Sequence, residues 1–246
     1  MIIVTRPSPY GEELVQLCHQ ANLAAIHLPF FNITKGDDLD QLQQQLNLLK
    51  KDDIVIIVSP QVILMLKHYN MVTQFPDFVR YFAVGKQTAQ QFQIFTNHIV
   101  DYPKTDENSE GLIRYFQSIK LPLKQHNVLI LSGDISRSVI HNELKSQGAL
   151  VKNIYCYRRN TTVYPSTILE HSQSDFFVIT SIEHLRQLEQ YCNSEHKQHA
   201  RLIVSSERIL NEAKKSGWQY IYLASNANNQ NLFKTIVSLC HNAAIT

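Results

Sequence analysis

The chain has 246 residues, which exceeds the usual size of one domain, so we expect two domains. Its composition, 44% hydrophobic and 18% charged, is typical of soluble globular proteins and excludes a disordered chain. The net charge of +2 indicates no broad cationic surface for nucleic acid, and no apolar run is long enough to span a membrane. Because the opening residues Met1–Arg6 are typical of a strand and not of a signal peptide, we expect a cytoplasmic protein.

The cysteines and histidines indicate neither a metal site nor a disulfide framework. The four cysteines are far apart and form no CxxC pair, so we expect reduced thiols. His196 and His199 lie in a stretch that we predict to be a polar loop, and no HExxH motif or cysteine pair supports them as ligands. We therefore expect no metal and no cofactor. The cysteines are Cys18, Cys156, Cys192 and Cys240.

Apolar runs of strand length alternate along the chain with amphipathic stretches of helix length, a pattern typical of parallel β/α units. The helix predicted at Glu12–Ala21 places Leu14, Leu17 and Cys18 on one face. A second helix, rich in glutamine, is predicted at Leu39–Leu49. The apolar runs predict strands at Ile2–Thr5, Ala24–Pro29, Ile54–Val58, Tyr81–Val84, Ile99–Tyr102 and Asn127–Leu131.

The order of these elements repeats within the chain. Residues 2–31 and residues 128–157 share one plan, which is strand, polar turn, helix and strand. Residues 54–116 and residues 176–237 share a second, longer plan. Two copies of one α/β domain are therefore predicted, each a doubly wound sheet of about five parallel strands flanked by helices.

The run Val151–Arg159 lies between the two halves of the repeat and places a phenol, Tyr157, beside two cations. Strict alternation along a strand would put Tyr157 on the same face as Val151 and Tyr155, and Cys156 on the opposite face. A strand that is apolar on neither face alone is expected where it leaves a core and reaches a ligand site. An edge strand that ends in solvated arginines is the alternative interpretation.

The turns that follow the predicted strands are rich in hydroxyl groups. In doubly wound sheets, ligands bind outside the carboxyl ends of the strands, and N–H groups at the start of a helix bind carboxylates or phosphates. The turns therefore predict an anionic ligand, although Ser and Thr there can equally serve as ordinary helix caps. The turns are Thr5-Arg6-Pro7, Ser59-Pro60-Gln61, residues 85–88, residues 132–137, Thr180-Ser181 and residues 205–208.

Several common catalytic motifs are missing. The chain contains no GxGxxG, no GxxxxGK[ST] and no GxSxG motif, and its seven glycines are few for a nucleotide site. No Ser-His-Asp set stands at the predicted strand ends. A nucleotide-handling protein is therefore disfavoured.

A series of short motifs, weak singly but specific in their order and spacing, runs through nearly the whole chain. The motifs are residues 3–7 with 11–14, Val58-Ser59-Pro60, residues 83–89, residues 109–112, residues 128–131 before Gly133 and Arg137, Cys156-Tyr157-Arg158-Arg159, Ile179-Thr180-Ser181, residues 204–209 and Gly217-Trp218. Through them the chain resembles the uroporphyrinogen-III synthase (HemD) family, and most of all its gamma-proteobacterial members.

The resemblance implies two flavodoxin-like domains that are interleaved in sequence and joined by a two-stranded linker. One domain would comprise residues 1–33 with residues 163–246, and the other residues 37–157. The linker strands would lie at about residues 31–36 and 157–162, so that Tyr157 stands at the linker.

The resemblance also implies a reaction. Hydroxymethylbilane, a linear tetrapyrrole rich in carboxylates, closes to uroporphyrinogen III with loss of water and inversion of the terminal ring, a lyase reaction that needs no cofactor. Tyr157 matches the family's key tyrosine, the proposed general acid to the leaving hydroxyl, and a phenol with a pKa of about 10 is protonated at neutral pH. Arg158 or Arg159 would steer the carboxylates of the substrate. The substrate-binding positions would be Arg6, Ser59, Gln61, Gly85, Lys86, Thr88, Ser132, Gly133, Arg137, Arg158, Thr180, Ser181, Ser205, Ser206 and Arg208.

Three further expectations accompany this interpretation. An acidic Asp134 beside a polyanionic substrate is unfavourable unless its side chain caps the following helix. We expect a monomer that contacts the upstream hydroxymethylbilane synthase at most transiently. The alternative function is a non-catalytic, two-lobed binding protein for an anionic tetrapyrrole or another small anion.

Overall fold

A computed structural model describes residues 1–71, 73–135 and 138–243, with the side chains of residues 241–243 left out of the description. The chain divides into two compact units. Unit 1 comprises Met1–Asn32 and Asn160–Thr246, and unit 2 comprises Ile33–Arg159. No helix in the described part of the chain is long and apolar enough to cross a membrane.

Strands and helices alternate along most of the chain. The strands are β1 (Ile2–Val4), β2 (Ala25–His27), β3 (Phe31–Lys35), β4 (Ile54–Ile57), β5 (Arg80–Ala83), β6 (Val100–Asp101), β7 (Asn127–Gly133), β8 (Leu150–Thr161), β9 (Phe176–Ile179), β10 (Arg201–Val204) and β11 (Tyr220–Leu223). The helices are α1 (Tyr10–Gln20), α2 (Leu42–Asn47), α3 (Pro60–His68), α4 (Lys86–Thr96), α5 (Ser109–Ser118), α6 (Val139–Ser146), α7 (Ile182–Glu189), α8 (Ser194–His199), α9 (Glu207–Lys215) and α10 (Asn229–Ala243).

Unit 1 is built on a five-stranded sheet with the order β11-β10-β9-β1-β2, and its paired strands are parallel. Numbered along unit 1 alone, this order is 2-1-3-4-5, which is that of flavodoxin-like folds. The strand order reverses between β1 and β9. A ligand site of unit 1 is therefore expected at the carboxyl ends of these strands and their neighbours.

Unit 2 has a six-stranded sheet with the order β3-β8-β7-β4-β5-β6, and the strands from β8 to β6 pair in parallel. Strands β7 and β8 take the places of β1 and β2 in unit 1, and β4 to β6 take the places of β9 to β11. The two units thus have the same strand order with the chain cut at a different point. This accounts for the sequence repeat, and the predicted α/β class with parallel sheets is confirmed.

Each sheet is buried on both faces, because successive residues of a strand point to opposite sides. In unit 2, cluster A contains Val55, Ile57, Leu129 and Leu131 on one face of the sheet. Cluster B contains the alternate residues Ile54, Ile56, Val128 and Ile130 on the other face. Unit 1 repeats this division, with Ile3 and Phe177 on one face and Ile2, Val4 and Val178 on the other. The continuous apolar runs of the sequence reflect this burial.

One local prediction was confirmed in part and another was wrong. The Gln-rich helix predicted at Leu39–Leu49 is a 3₁₀ turn, Leu39–Gln41, that continues as the shorter helix α2. The predicted polar loop around His196 is helix α8, which opens with a capping box between Asn193 and His196. His196 is buried, and its Nε2 lies 2.8 Å from the carbonyl oxygen of Leu169. A tertiary contact thus orders a stretch whose composition alone indicates solvent.

Asp53 stabilises unit 2 at the amino ends of β4 and β7. Its carboxylate is buried and accepts hydrogen bonds from the N–H of Lys50 at 2.7 Å and from the N–H and side-chain amide of Asn127, both at 2.8 Å. Asp53→Asn replaces one acceptor oxygen by an NH₂ group that faces a donor. We expect the free energy of unfolding to fall by about 1–2 kcal/mol, measured by urea denaturation followed by circular dichroism.

Asp52→Asn is the matched control for this prediction. Asp52 is exposed and has a φ of 68°, a conformation that asparagine tolerates well, so its replacement should leave stability unchanged. Equal unfolding midpoints for the Asp53→Asn and Asp52→Asn proteins would contradict the role assigned to Asp53.

Candidate functional site

A β-bulge in β8 determines where Tyr157 points. Strand β8 pairs with β7 through Ser132 opposite Tyr155, but the next pair is Gly133 opposite Tyr157, so Cys156 is an extra residue. The extra residue reverses the alternation that follows it. Ile154, Cys156 and Tyr157 consequently all belong to cluster A. The expectation that Tyr157 shares a face with Val151 and Tyr155 was wrong for this reason.

The ring of Tyr157 packs directly on Gly133. A Cβ atom at position 133 would overlap the ring at Cε2 and would lie 2.6 Å from Cζ. Tyr157 is 7% exposed, so most of the ring is covered. Gly133 is therefore needed at this position for close packing, and its role as a substrate contact stays a prediction.

Ser59 joins the start of α3 to the phenol of Tyr157. Its hydroxyl oxygen accepts a hydrogen bond from the N–H of Gln61 at 3.2 Å, which caps α3. The Ser59 side chain also lies close enough to the phenol of Tyr157 to lower its pKa. Ser59 follows β4 and Tyr157 lies opposite the end of β7. These are the two strands between which the strand order of unit 2 reverses.

The surroundings of Tyr157 keep its phenol protonated at neutral pH. Burial raises the pKa of the phenol above its ordinary value, and this is the largest effect. The Ser59 side chain and the positive charge of Arg159 lower the pKa, while Cys156 and Asp134 raise it. The phenol can therefore donate a proton. Ser59 and Arg159, which lower its pKa, favour the phenolate that results.

The other predicted residues near Tyr157 are mainly buried. Ser132 is fully buried and its hydroxyl donates to the carbonyl of Gly133 at 3.1 Å. Burial raises the pKa of the neighbouring Cys156 thiol to about 12, so this cysteine stays protonated. The side-chain oxygen of Gln61 is buried, and no donor within the described ranges reaches it.

The turn after β5 is occupied by a carboxylate of the protein. Gly85 precedes α4, and the N–H of Lys86 donates to Oε2 of Glu107 at 2.7 Å. A side chain at Gly85 would collide with Glu107, so the glycine permits this contact. Thr88 is buried in the first turn of α4, and the side chain of Lys86 is exposed. Glu107 was not predicted, because it lies 21 residues from Lys86 in a polar loop without a motif.

Of the two arginines predicted to bind substrate in unit 2, the structure describes one, Arg158. Arg158 is exposed and forms an ion pair with Asp37, which follows β3. Arg137 lies outside the described residues. Within the described residues, the cation whose charge acts on the phenol is Arg159, which the family resemblance offers as the alternative to Arg158.

In unit 1, the predicted hydroxyl residues meet at the ends of β9 and β10. Ser181 caps α7 through the N–H of His184, and Ser206 caps α9 through the N–H of Ile209. The hydroxyl of Ser205 donates to the carbonyl of Thr180 at 3.4 Å and so links the two turns. These contacts are those of ordinary helix caps, and they leave each hydroxyl proton of the two capping serines able to donate to a ligand.

A concave site of about 390 Å³ lies at the ends of β10 and β11 in unit 1. Ser225 was not predicted as part of this site. It also follows a strand, so the rule that ligands bind at the carboxyl ends of parallel strands would have found it. Glu207 adds a carboxylate to the wall of this site, and its negative charge disfavours the binding of an anion there. The lining residues are Ser205, Ser206, Glu207, Leu223, Ala224 and Ser225.

The two cations predicted to bind substrate in unit 1, Arg6 and Arg208, differ in their surroundings. Arg6 donates to the carbonyl of Ala227 at 2.9 Å and to Oδ1 of Asn229 at 2.5 Å, and its guanidinium lies 5.1 Å from the ring centre of Tyr10. It therefore holds the loop after β11. Arg208 is exposed on the first turn of α9.

Comparisons with known proteins identify relatives over the whole chain. Residues 12–234 match the family model described as Uroporphyrinogen-III synthase HemD. The chain is 31% identical to the uroporphyrinogen-III synthase of Escherichia coli K12 over 245 residues, which is 96% of this chain and 99% of that protein. It is 30% identical to the same enzyme of Salmonella typhimurium over 246 residues, again with 96% and 99% coverage.

Solved structures show the same fold at low sequence identity. A mutant uroporphyrinogen III synthase of Thermus thermophilus aligns with a TM-score of 0.65 at 12% identity, covering 100% of this chain and 99% of that chain. Uroporphyrinogen-III synthetase of Helicobacter pylori 26695 aligns with a TM-score of 0.61 at 14% identity, covering 97% and 98%.

Proposed function

Since the chain belongs to the uroporphyrinogen-III synthase family, we propose that it converts hydroxymethylbilane to uroporphyrinogen III in tetrapyrrole and haem biosynthesis, as a lyase. The observation that carries this proposal is the family match over residues 12–234, in a chain that has a protonated tyrosine at the strand-order reversal of unit 2. No cofactor is needed, because the reactivity of the substrate supplies most of the chemistry. The protein mainly holds one folded geometry of the substrate.

The proposed role of Tyr157 is to protonate the leaving hydroxyl. The carbon–oxygen bond breaks, water departs with the phenol's proton, and an azafulvene cation remains on the substrate. The cation is attacked by the substituted carbon of the terminal ring to give a spiro intermediate, whose fragmentation and reclosure invert that ring. The closing ring loses one proton, which can restore the phenol. While Tyr157 is deprotonated, the Ser59 side chain and the charge of Arg159, which both lower the pKa of the phenol, favour the phenolate.

The carboxylates of the substrate are proposed to bind at the strand-end turns. In unit 2 these are the turns of Ser59 and Lys86, and in unit 1 those of Ser181 and Ser206, where helix N-terminal N–H groups and hydroxyls favour anions. Arg208 is exposed and can add charge. Arg6 and Arg158, by contrast, would have to leave their present partners before binding substrate.

Units 1 and 2 are proposed to be the two domains that the resemblance implies, residues 1–33 with 163–246 and residues 37–157. The linker strands would then be about residues 31–36 and 157–162. The chain passes between the units at residues 32–33 and 159–160, within the neighbouring strands β3 and β8. We further propose a cytoplasmic monomer, with transient contact to the upstream hydroxymethylbilane synthase, because the internal repeat supplies two similar domains in one chain.

The test is to generate hydroxymethylbilane with the upstream synthase, add this protein, oxidise the products and separate the type I and type III uroporphyrins. Uncatalysed closure gives the type I isomer, so predominance of type III over a heat-denatured control is the expected result. Type I alone would overturn the proposed function. Tight binding of a tetrapyrrole without turnover would then favour the alternative, a binding protein.

A further inference from the structure

Within the residues that the structure describes, Asp134 makes no capping bond to the helix that follows it. Helix α6 begins at Val139 after Ser138, and no side chain in the described ranges caps its first turn. The carboxylate of Asp134 instead accepts hydrogen bonds from the N–H of its own neighbour Ile135 at 2.8 Å and from the N–H of Arg159 at 3.2 Å. The carboxylate of Asp134 therefore binds backbone N–H groups at the end of β7 and in the neighbouring strand β8.

Asp134 contacts the backbone on both sides of Arg158. Its N–H donates to the carbonyl of Tyr157 at 3.0 Å, and its carboxylate accepts from the N–H of Arg159. Pairing with β7 continues after the bulge at Cys156 for one pair, Gly133 opposite Tyr157, and the N–H of Asp134 completes that pair. The carboxylate of Asp134 then extends the contact by two residues, to Arg159, and holds β8 in its shifted register.

The shifted register has a chemical consequence. Without the extra residue, Tyr157 would point to cluster B, on the opposite face of the sheet from the side to which Ile154 and Cys156 point. With it, the phenol reaches Ser59. Bulges are known to re-aim single side chains at active sites, at the cost of local pairing that another group must replace.

We propose that Asp134 is a positioning residue, which holds the bulge of β8 and thereby keeps Tyr157 at Ser59 in the geometry for proton donation. This inference rests on the proposed function of Tyr157. Asp134 acts through the backbone of Tyr157 and Arg159 and is assigned no contact with substrate. Its acidic side chain beside a polyanionic substrate is thus explained by the backbone N–H groups of Ile135 and Arg159 that it binds.

The geometric role predicts a specific pattern among variants. Asp134→Ala removes the acceptor of the Arg159 N–H, and kcat for type III product should fall about tenfold with little change in KM, since misplacement affects the chemical step. Asp134→Asn keeps an acceptor oxygen at the same place, so its kcat should stay within about threefold of the wild type. Asp40→Ala, which removes an exposed carboxylate paired with Lys35, is the matched control and should behave like the wild type.

A double-mutant cycle with Tyr157→Phe separates positioning from general damage. If Asp134 acts through Tyr157, Asp134→Ala should have almost no further effect once the phenol is gone. An equal loss in both backgrounds, or an Asp134→Asn protein as impaired as Asp134→Ala, would overturn the inference. A wild-type protein that makes only type I product would instead overturn the proposed function, so the two failures are distinguishable.

Discussion

Replacing Tyr157 by phenylalanine is expected to lower the rate of type III formation by about 100- to 10,000-fold, the usual contribution of a general acid. The phenyl ring of the variant can still pack on Gly133 and in cluster A, so the fold should be retained. The product should shift towards the type I isomer, because substrate that is not turned over closes without the enzyme. The isomer ratio after oxidation of the products is the measurement.

Tyr81→Phe is the matched control for this experiment. Tyr81 is also a buried tyrosine of cluster A, and its hydroxyl donates to the carbonyl of Pro76 at 2.7 Å, so its replacement removes a comparable hydrogen bond. Tyr81 lies on β5, towards its amino end, away from the turns that carry Ser59 and Lys86. Normal type III formation by the Tyr157→Phe protein would show that Tyr157 is not the general acid and that its role is structural. An equal loss in the Tyr81→Phe protein would indicate general damage.

Gly133→Ala is expected to have the second largest effect. The added methyl group would overlap Cε2 of Tyr157, so the ring must move or the bulge must open. We expect the free energy of unfolding to fall by about 1–3 kcal/mol, as for other overpacked cores. Displacement of the phenol from Ser59 should also lower kcat by up to about 100-fold. Urea denaturation and the isomer assay measure the two effects.

The cause of the Gly133→Ala effect can be isolated by removing the ring. In a Tyr157→Ala background the new methyl group no longer meets an aromatic ring, so the extra loss of stability should largely disappear. Destabilisation of the same size in both backgrounds would show that the backbone of Gly133, and not its contact with Tyr157, requires glycine.

Much of the fold follows from local rules. Ile54–Val58 is predicted as a strand buried on both faces because all five residues are apolar, and the structure divides the observed strand, Ile54–Ile57, between clusters A and B. Ser59-Pro60 predicts the start of α3, since serine favours the cap position and proline the first turn. Helix α8 was missed because its order depends on the buried contact between His196 and Leu169, which no local pattern shows.

The candidate site could be predicted only in part. The rule that ligands bind at strand ends located the turns of Ser59, Ser181 and Ser206, which the structure places at helix starts. The rule says nothing about which polar groups the protein itself already occupies. Asp37 pairs with Arg158 across 121 residues, and Glu107 reaches the N–H of Lys86 from a separate loop. Such contacts have no signature in the order of residues.

The amino-acid sequence by itself determined the parallel α/β class, the internal repeat and the family, because these depend on the periodic placement of apolar residues and on short motifs in a constant order. Only the tertiary structure decided the direction of Tyr157. Alternation along β8 points its side chain to one face, and the single extra residue at Cys156 turns it to the other. The bulge depends on β7, Asp134 and Gly133, which are about twenty residues away along the chain and adjacent only in the folded sheet.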